Sequence, residues 1–256
     1  MRRSNCWVVT SMWRWIGSLV FTFWMFFSVA FYALAIIIMG PFGYDRRFAI
    51  SRAWASMIIS SARLLCGIEF EVRGRENIPD EAAVYLLKHS SAYETLAEFL
   101  FVGQQTWVLK RELQWVPIFG WALKLLRPIA INRGGGRNAV KQVIAQGTAA
   151  LQRGVNVMIF PEGTRVRQGQ TRRYGMSGIA LAAESERLIV PVAHNAGVFW
   201  PRRGVRKRPG TVRFVIGEPV VVGDRDYRVV ANEVQAWIEA EIAKMPGRES
   251  LERAGS

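Results

Sequence analysis

The chain has 256 residues, of which 50% are hydrophobic and 21% are charged, so it is neither an intrinsically disordered chain nor a coiled coil. Its length fits one ordinary domain with an addition at one end. The 34 Lys and Arg against 20 Asp and Glu give a formal net charge of +14, which indicates an anionic partner, either nucleic acid or a membrane that contains acidic lipid.

The first predicted element is an apolar helix over residues 15–39, which contain no charged side chain. Because a bilayer core of about 30 Å needs roughly 20 apolar residues in a helix, this segment is long enough to cross a membrane. A cleaved signal peptide is the alternative. However, its apolar region usually has about 7–15 residues, and no convincing cleavage site follows. We therefore favour a retained membrane segment.

A second helix-like stretch covers residues 48–66 and carries Arg52 and Arg63 among apolar side chains. It can lie in the membrane interface, or pair with the first helix as a re-entrant hairpin. Three arginines precede the apolar segment and three follow it, so the distribution of charge does not fix an orientation. We expect residues 1–66 to anchor the protein to a membrane.

Beyond residue 66, apolar strands alternate with helices, which predicts an α/β fold in which helices flank a mixed sheet. We expect this domain to cover residues 67–246, followed by a solvated tail over residues 247–256. The predicted strands are residues 68–72, 82–87, 107–109, 129–131, 155–160, 188–193 and 212–216. The predicted helices are residues 93–102, 137–153 and 228–243. Such sheets usually place their functional sites at strand ends.

The second predicted strand ends directly at Lys88 and His89. Glu94 follows five residues after His89, across a strand-to-helix turn, where its carboxylate can accept a hydrogen bond from one imidazole nitrogen. The other nitrogen is then free to take a proton from an alcohol, and Glu94 would stabilise the imidazolium that forms. Taken alone this spacing is weak, because a capping or hydrogen-bonded loop histidine gives the same pattern.

The fifth predicted strand runs into an unusual turn, Phe-Pro-Glu-Gly-Thr-Arg, at residues 160–165. Gly163 permits a backbone conformation that other residues avoid. Thr164 and Arg165 can donate several hydrogen bonds to a phosphate. Glu162 can orient that arginine or accept a hydrogen bond from a substrate hydroxyl, and a salt bridge within the turn is the structural alternative. The turn therefore predicts an anion-binding site.

In this order the motifs resemble the 1-acylglycerol-3-phosphate acyltransferase family of bacterial phospholipid synthesis. The resemblance covers residues 67–220, roughly, and residues 110–113 and 117–121 look like the substrate-facing helix of that family. The four motifs are His89 with position 94, the strand that ends at Arg133, residues 160–165, and Val-Pro-Val at residues 190–192. Two departures stand out: Glu94 replaces the usual Asp, and Lys88 stands where Asn is common.

The resemblance implies a mechanism that needs no metal or other cofactor. His89, oriented by Glu94, would remove the proton from the free hydroxyl of lysophosphatidic acid. The alkoxide would attack the thioester of acyl-coenzyme A (acyl-CoA) or acyl carrier protein (acyl-ACP), and phosphatidic acid would form without an acyl-enzyme. Arg133, Arg165 and Lys110 would hold the acceptor phosphate, and backbone amides near Gly163 would stabilise the oxyanion. The implied location is the bacterial inner membrane, with the catalytic domain facing the cytoplasm.

Other interpretations stay open. The basic run at residues 202–208 can bind nucleic acid, but in a chain with an apolar anchor it fits anionic headgroups or an acidic carrier protein better, and no nucleic-acid-binding fold is indicated. The chain can also acylate another lysolipid, or be a non-catalytic membrane-tethered module that binds lipid or a carrier protein. The group formed by Trp115, Phe119, Trp121 and Leu125 fits core packing and an acyl-chain floor equally well.

Overall fold

The computed structural model describes residues 4–167 and 169–246, with side chains from residue 14 onward except that of Arg133. The predicted tail, residues 247–256, lies outside this part of the chain. Two long helices come first, α1 at Ser4–Ile38 and α2 at Tyr44–Cys66. They run antiparallel, as in the hairpin considered from the sequence.

Close contact between the two helices depends on a small residue. A Cβ atom at Gly17 of α1 would lie only 2.2 Å from the carbonyl oxygen of Leu65 in α2, so only glycine fits at this crossing. Further along, Trp54 Nε1 donates a hydrogen bond to Ser28 Oγ at 3.1 Å. These contacts fix the pairing of the two helices along most of their length.

Seven strands form one mixed sheet in the order β1-β7-β6-β2-β5-β3-β4, in which β6 and β7 are antiparallel and all other neighbours are parallel. The strands are β1 Ile68–Arg73, β2 Val84–Leu87, β3 Gln105–Lys110, β4 Ile129–Ile131, β5 Asn156–Ile159, β6 Ile189–His194 and β7 Gly210–Ile216. The helices are α3 Glu94–Ala97, α4 Phe119–Leu125, α5 Arg137–Leu151, α6 Ser177–Glu184, α7 Ala196–Phe199 and α8 Tyr227–Lys244. The predicted α/β class with a mixed sheet is confirmed.

The helix predicted over residues 93–102 is wrong in extent. Only α3 is α-helical there, and Glu98–Leu100 form a 3₁₀ turn. Phe101 then leaves helical geometry, with φ at −129°, four residues before β3 begins. A tighter 3₁₀ turn at the end of a helix is common, and here it leads the chain directly back to the sheet.

The sheet separates two apolar layers. One layer combines residues of α2, α3 and α7 with one face of the sheet, and the other combines residues of α5, α6 and α8 with the opposite face. The inner face of α1 adds Phe21 to the first layer, while Ala33 and Ile36 pack against Ala122 and Leu126 beside α4. Helix α1 is thus part of the packed structure along one side.

The other side of α1 is a stripe of exposed large apolar side chains. The segment at residues 14–38 is long and apolar enough to cross a membrane. In its most apolar 18-residue stretch, only 22% of the residues are buried against the rest of the protein. Exposed members of the stripe are Trp15, Ile16, Leu19, Val20, Phe23, Trp24, Phe26, Phe27, Phe31, Leu34 and Ile38. Stripes of this size on a protein surface mark contact with a membrane or another protein.

A lysine from the loop after α7 joins α1 to the domain. The main-chain N–H of Lys207 donates to Ser18 Oγ at 3.0 Å, and Nζ donates to Thr22 Oγ1 at 2.6 Å. The ammonium lies 5.4 Å from the ring centroid of Phe21 and 5.1 Å from that of Trp200, within the range of cation–π attraction. Lys207 is 3% exposed, so this anchor is buried.

Candidate active site

The predicted histidine and the predicted turn meet at one edge of the sheet. His89 lies two residues past the end of β2, and residues 160–165 follow β5, which is the parallel neighbour of β2. Val166 N–H donates to the His89 carbonyl at 2.7 Å. The His89 ring stacks on Phe160 with centroids 4.1 Å apart and an angle of 24° between the planes. Two motifs more than 70 positions apart thus build one site.

Glu94 binds one nitrogen of the His89 ring. Its Oε1 lies 2.9 Å from His89 Nδ1 and also accepts the main-chain N–H groups of Ser90 at 3.0 Å and Ser91 at 2.8 Å. Burial raises the pKa of the Glu94 carboxyl, but the hydrogen bond from His89, the nearby imidazoles and the Ser91 N–H outweigh it, and the pKa is lowered. An ionised carboxylate only accepts, so Nδ1 of His89 carries a proton and Nε2 is available as a base.

The Glu162 side chain contacts residues 88 and 89. Its Oε2 accepts the main-chain N–H of His89 at 2.7 Å, and its Oε1 lies 3.2 Å from Lys88 Nζ. The side chain has 0% exposure, and no described hydrogen bond joins it to Arg165. Burial, with a smaller contribution from Glu239, raises the pKa of Glu162 to about 7 against the opposing effects of the His89 N–H and Lys88. Glu162 is thus a buried support beneath His89.

Lys88, noted from the sequence only as a departure, is 1% exposed. Besides Glu162, its ammonium contacts Glu239 of α8 and donates to the carbonyl of Gln170 at 2.9 Å. The carbonyl of Lys88 lies 2.6 Å from Nε2 of His194. Sequence reasoning missed the contacts with Gln170, His194 and Glu239, because these residues lie more than 80 positions away along the chain.

The second histidine is a structural residue. His194 is fully buried; burial lowers its pKa, and its Nδ1 accepts the N–H of Ala196 at 3.3 Å. Nε2 must therefore be the protonated nitrogen and donate to the Lys88 carbonyl. Both nitrogens are used within the protein, so His194 holds the end of β6 against the residue before His89.

An apolar cavity of about 390 Å³ opens beside His89. Arg165 and Phe160 border it next to His89, and its volume falls among ligand pockets, which span roughly 300–1,000 Å³. The apolar lining comes from α1, α2, β3 and α4, and includes Val29, Ile36, Trp54, Leu109, Phe119 and Ala122. The cavity therefore joins the His89 site to the space between the amphipathic hairpin and α4.

The aromatic group considered as core or as acyl floor divides between several environments. Phe119 lines the cavity, whereas Leu125 packs with the residues between α1 and α4. Trp115 is 64% exposed and Trp121 53% exposed. One member thus lines the cavity, one packs in the core and two face outward.

The predicted phosphate ligands belong to different elements of the structure. Arg165 is half-buried and lines the cavity, next to the half-buried Thr164. Gly163 has φ at +66°, the left-handed conformation that the sequence analysis anticipated. Lys110 is exposed and ends β3, opposite Ile131.

Arg133 begins a short 3₁₀ helix two residues after β4, and its side chain lies outside the described part of the structure. Its backbone is therefore at the same edge of the sheet as Lys110. In the strand order β3, which ends at Lys110, is two positions from β2, and β4, which precedes Arg133, is three positions from β2. Within the described residues, no group of three or more His, Cys, Asp or Glu could hold a metal ion.

Comparisons with known proteins bear on both fold and chemistry. A family model described as Acyltransferase matches residues 69–195, a range that contains His89, Glu94 and residues 160–165. The 1-acyl-sn-glycerol-3-phosphate acyltransferase of Pseudomonas aeruginosa is 42% identical over 208 residues, which are 80% of this chain and 80% of that protein. The chloroplastic 1-acyl-sn-glycerol-3-phosphate acyltransferase of Arabidopsis thaliana is 28% identical over 224 residues, 82% of this chain and 60% of that protein.

A solved structure shares the fold. The crystal structure of the 1-acyl-sn-glycerophosphate acyltransferase PlsC from Thermotoga maritima matches with a TM-score of 0.74, covering 92% of this chain and 100% of that one at 20% sequence identity.

Proposed function

The chain belongs to the 1-acyl-sn-glycerol-3-phosphate acyltransferase family, and from that premise we propose that it transfers a fatty acyl group to the sn-2 hydroxyl of 1-acylglycerol-3-phosphate (lysophosphatidic acid), giving phosphatidic acid. The observation that carries the proposal is the Glu94–His89 pair at an apolar cavity that Arg165 also borders. This arrangement combines a base, an anion ligand and a space for a hydrocarbon chain.

In the proposed reaction, Nε2 of His89 takes the proton of the acceptor hydroxyl as the oxygen attacks the thioester carbonyl carbon. The carbon–oxygen bond forms, the carbonyl becomes an oxyanion, and the imidazolium is stabilised by the Glu94 carboxylate. When the carbonyl re-forms, the carbon–sulfur bond breaks and the thiolate takes the proton back from His89. The base is thereby regenerated without a covalent enzyme intermediate.

We place the acceptor phosphate at Arg165, whose guanidinium borders the cavity next to His89, with Thr164 beside it. Charge-assisted hydrogen bonds from arginine are the strongest that a phosphate receives from a side chain. Lys110 and Arg133, at the same edge of the sheet, complete the proposed anionic site. The left-handed turn at Gly163 orients the neighbouring main-chain amides for the oxyanion. Glu162 supports the site from beneath rather than binding the substrate.

The acyl donor is proposed to be acyl-CoA or acyl-ACP. Both carriers are anionic, and the exposed side chains of Arg167, Arg172, Arg173, Arg202 and Arg203 present positive charge near the site. Arg202 donates to the carbonyl of Arg165 at 2.8 Å, which joins the two basic loops. The acyl chain would enter the apolar cavity between α1 and α4.

We propose that residues 1–66 anchor the catalytic domain, residues 67–246, to the bacterial inner membrane with the domain facing the cytoplasm, where thioester carriers are made. The stripe on α1 and the exposed Trp115 and Trp121 would contact lipid. The opposite side of α1 packs on the domain through Phe21 and Lys207. This favours a hairpin held at one face of the bilayer over a helix that crosses it.

Acyl transfer by the purified, detergent-solubilised protein tests this function directly. We expect labelled phosphatidic acid from lysophosphatidic acid and either acyl donor with the wild type, and loss of product in His89→Ala, which removes the base. Product from a different lysolipid alone would assign the enzyme another acceptor. No transfer to any lysolipid from either donor would refute the enzyme and leave a binding module.

A further inference from the structure

Lys88 is a buried cation that has no role in the proposed acyl transfer, because it does not border the cavity beside His89. We propose that Lys88 and Glu239 are positioning residues that, with Glu162, form an ionic clamp fixing both His89 and the phosphate-binding turn. This inference rests on the proposed function, because it concerns how the acceptor site is held.

The ammonium group of Lys88 has three oxygen neighbours. Nζ donates hydrogen bonds to Glu239 and to the Gln170 carbonyl, and it forms an ion pair with Glu162 Oε1 at 3.2 Å. These partners belong to three separate parts of the chain: the turn after β5, helix α8 and the loop before α6. The three parts are thus joined at one point beneath the edge of the sheet.

From this point the connection continues to the base. Glu162 Oε2 accepts the main-chain N–H of His89 at 2.7 Å, and the Lys88 carbonyl is held by His194. The peptide group between Lys88 and His89 is therefore held at both its carbonyl and its N–H. A displacement of Glu162 would move the His89 backbone as well as the turn that carries Arg165.

The charge balance shows why the lysine is needed. Glu162 and Glu239 lie close enough to interact electrostatically, and the side chain of Glu162 is fully buried. The Lys88 ammonium contacts both carboxylates. Without it, the attraction that opposes burial and the Glu239 charge is lost, so the pKa of Glu162 rises further and its neutral carboxyl has no cation to hold it in place. We expect Glu162 to turn away, which would release the turn.

The clamp also restrains the arginine-rich loop. Lys88 binds the carbonyl of Gln170, which lies between Arg167 and Arg172, and all three residues are exposed at the surface. Arg165 begins the same segment and borders the cavity. The two ends of the loop have other contacts: Val166 N–H donates to the His89 carbonyl at 2.7 Å, and at the far end Gln235 of α8 bonds to the Arg172 carbonyl and the Tyr174 N–H. Gln170 lies between these ends, so loss of Lys88 removes a contact in the middle of the loop.

Steady-state kinetics on the full-length protein in detergent tests the clamp. Lys88→Met preserves length but removes the charge, and we expect kcat/KM for lysophosphatidic acid to fall about 10- to 100-fold, the range that a displacement of about 1 Å can cause. The KM for lysophosphatidic acid should rise at least about fivefold, whereas the KM for the acyl donor should stay within about twofold of the wild-type value. The difference is expected because Arg165 binds the acceptor only. Glu239→Gln should cause a smaller change in the same direction.

Matched controls come from the same helix as Glu239. Lys244 and Glu241 form an exposed ion pair near the end of α8. Lys244→Met and Glu241→Gln make the same two changes of side chain as Lys88→Met and Glu239→Gln, but away from the site. Both control variants should retain wild-type kinetics. Equal changes in both KM values, or a fall in kcat alone that tracks the fraction of folded protein, would show a role in stability only and would overturn the inference.

Limited trypsin digestion gives a result that does not depend on activity. Cleavage in Lys88→Met at Arg167, Arg172 and Arg173 should accelerate about tenfold relative to cleavage at Arg153, an exposed turn residue elsewhere in the protein. Equal acceleration at all sites would indicate global destabilisation and count against the clamp. If the wild type transfers no acyl group but the digestion changes as expected, the proposed function fails while the clamp stands. If the wild type is active and neither result appears, the clamp fails alone.

Discussion

Glu94→Gln removes one charge from the active site while the size of the side chain stays the same. The Glu94 carboxyl has a lowered pKa, so it is ionised at neutral pH, and its Oε1 accepts three hydrogen bonds. A Gln at this position can keep its amide oxygen toward these three donors. The tautomer of His89 is then preserved, and the main loss is the charge that stabilises the imidazolium.

The size of this loss follows from the geometry. At an effective dielectric constant near 20, opposite unit charges about 4 Å apart attract by about 4 kcal/mol. Since about 1.4 kcal/mol corresponds to a tenfold change in rate, we expect kcat to fall about 10³-fold, with both KM values changed less than about threefold. Oε2 of Glu94 is buried without a hydrogen-bond partner, so the amide nitrogen placed there would lower the free energy of unfolding by about 1–3 kcal/mol.

The assay compares initial rates of the wild type, Glu94→Gln and Glu94→Asp with lysophosphatidic acid and labelled donor, after thermal unfolding has confirmed that each variant is folded at the assay temperature. Glu94→Asp keeps the charge but shortens the side chain, so we expect it to retain more activity than Glu94→Gln. Wild-type kcat in a folded Glu94→Gln would refute the assignment of Glu94 as the residue that orients and charges the base.

Three further predictions concern the acceptor, the acyl chain and pH. Arg165→Ala should raise the KM for lysophosphatidic acid about 10- to 100-fold, because a charged hydrogen bond contributes about 1.5–3 kcal/mol, while an unchanged acceptor KM would remove Arg165 from the phosphate site. Ala122→Phe narrows the cavity, so the ratio of rates with long-chain and short-chain donors should fall at least about tenfold; the exposed Lys124→Ala on the same helix should leave this ratio unchanged. The pKa of Glu162, about 7 in the folded protein, exceeds its ordinary value of 4.5, so the folded state binds this proton more tightly than the unfolded chain does. The free energy of unfolding should therefore fall as pH rises from about 4.5 to about 7, and denaturant titrations of Glu162→Gln should show a flatter pH dependence if this carboxyl is responsible.

Strands and the main helices were predictable because their sequence patterns are local. Each predicted strand is present, and the ends agree within about two residues. Helix α6 was missed because residues 178–182 are buried all round, so the segment lacks the alternation of polar and apolar faces that marks a surface helix. The predicted helix after His89 was too long because the apolar residues of that segment meet the core through a 3₁₀ turn.

The chemistry of the site was predictable in part. The spacing of His89 and Glu94 and the Gly163 turn express short-range geometry, and the structure shows both. Contacts that depend on the fold were beyond reach: the Lys88–Glu239 ion pair joins residues 151 positions apart. For Glu162 the sequence left open a contact with Arg165, a substrate hydroxyl or a salt bridge, and only the fold reveals its contacts with the His89 N–H and Lys88. The cavity likewise arises only when α1 and α4 are brought together.

The contact between Lys207 and α1 has a consequence for the order in which the protein is assembled. Ser18 and its partner are 189 positions apart, so α1 leaves the ribosome long before the residue that holds it has been made. During synthesis the apolar stripe of α1 is exposed before the domain that packs against the other side of the helix has been made. The acyl cavity can close only after almost the whole chain has emerged. The cavity beside His89 is therefore among the last features of the fold to be completed.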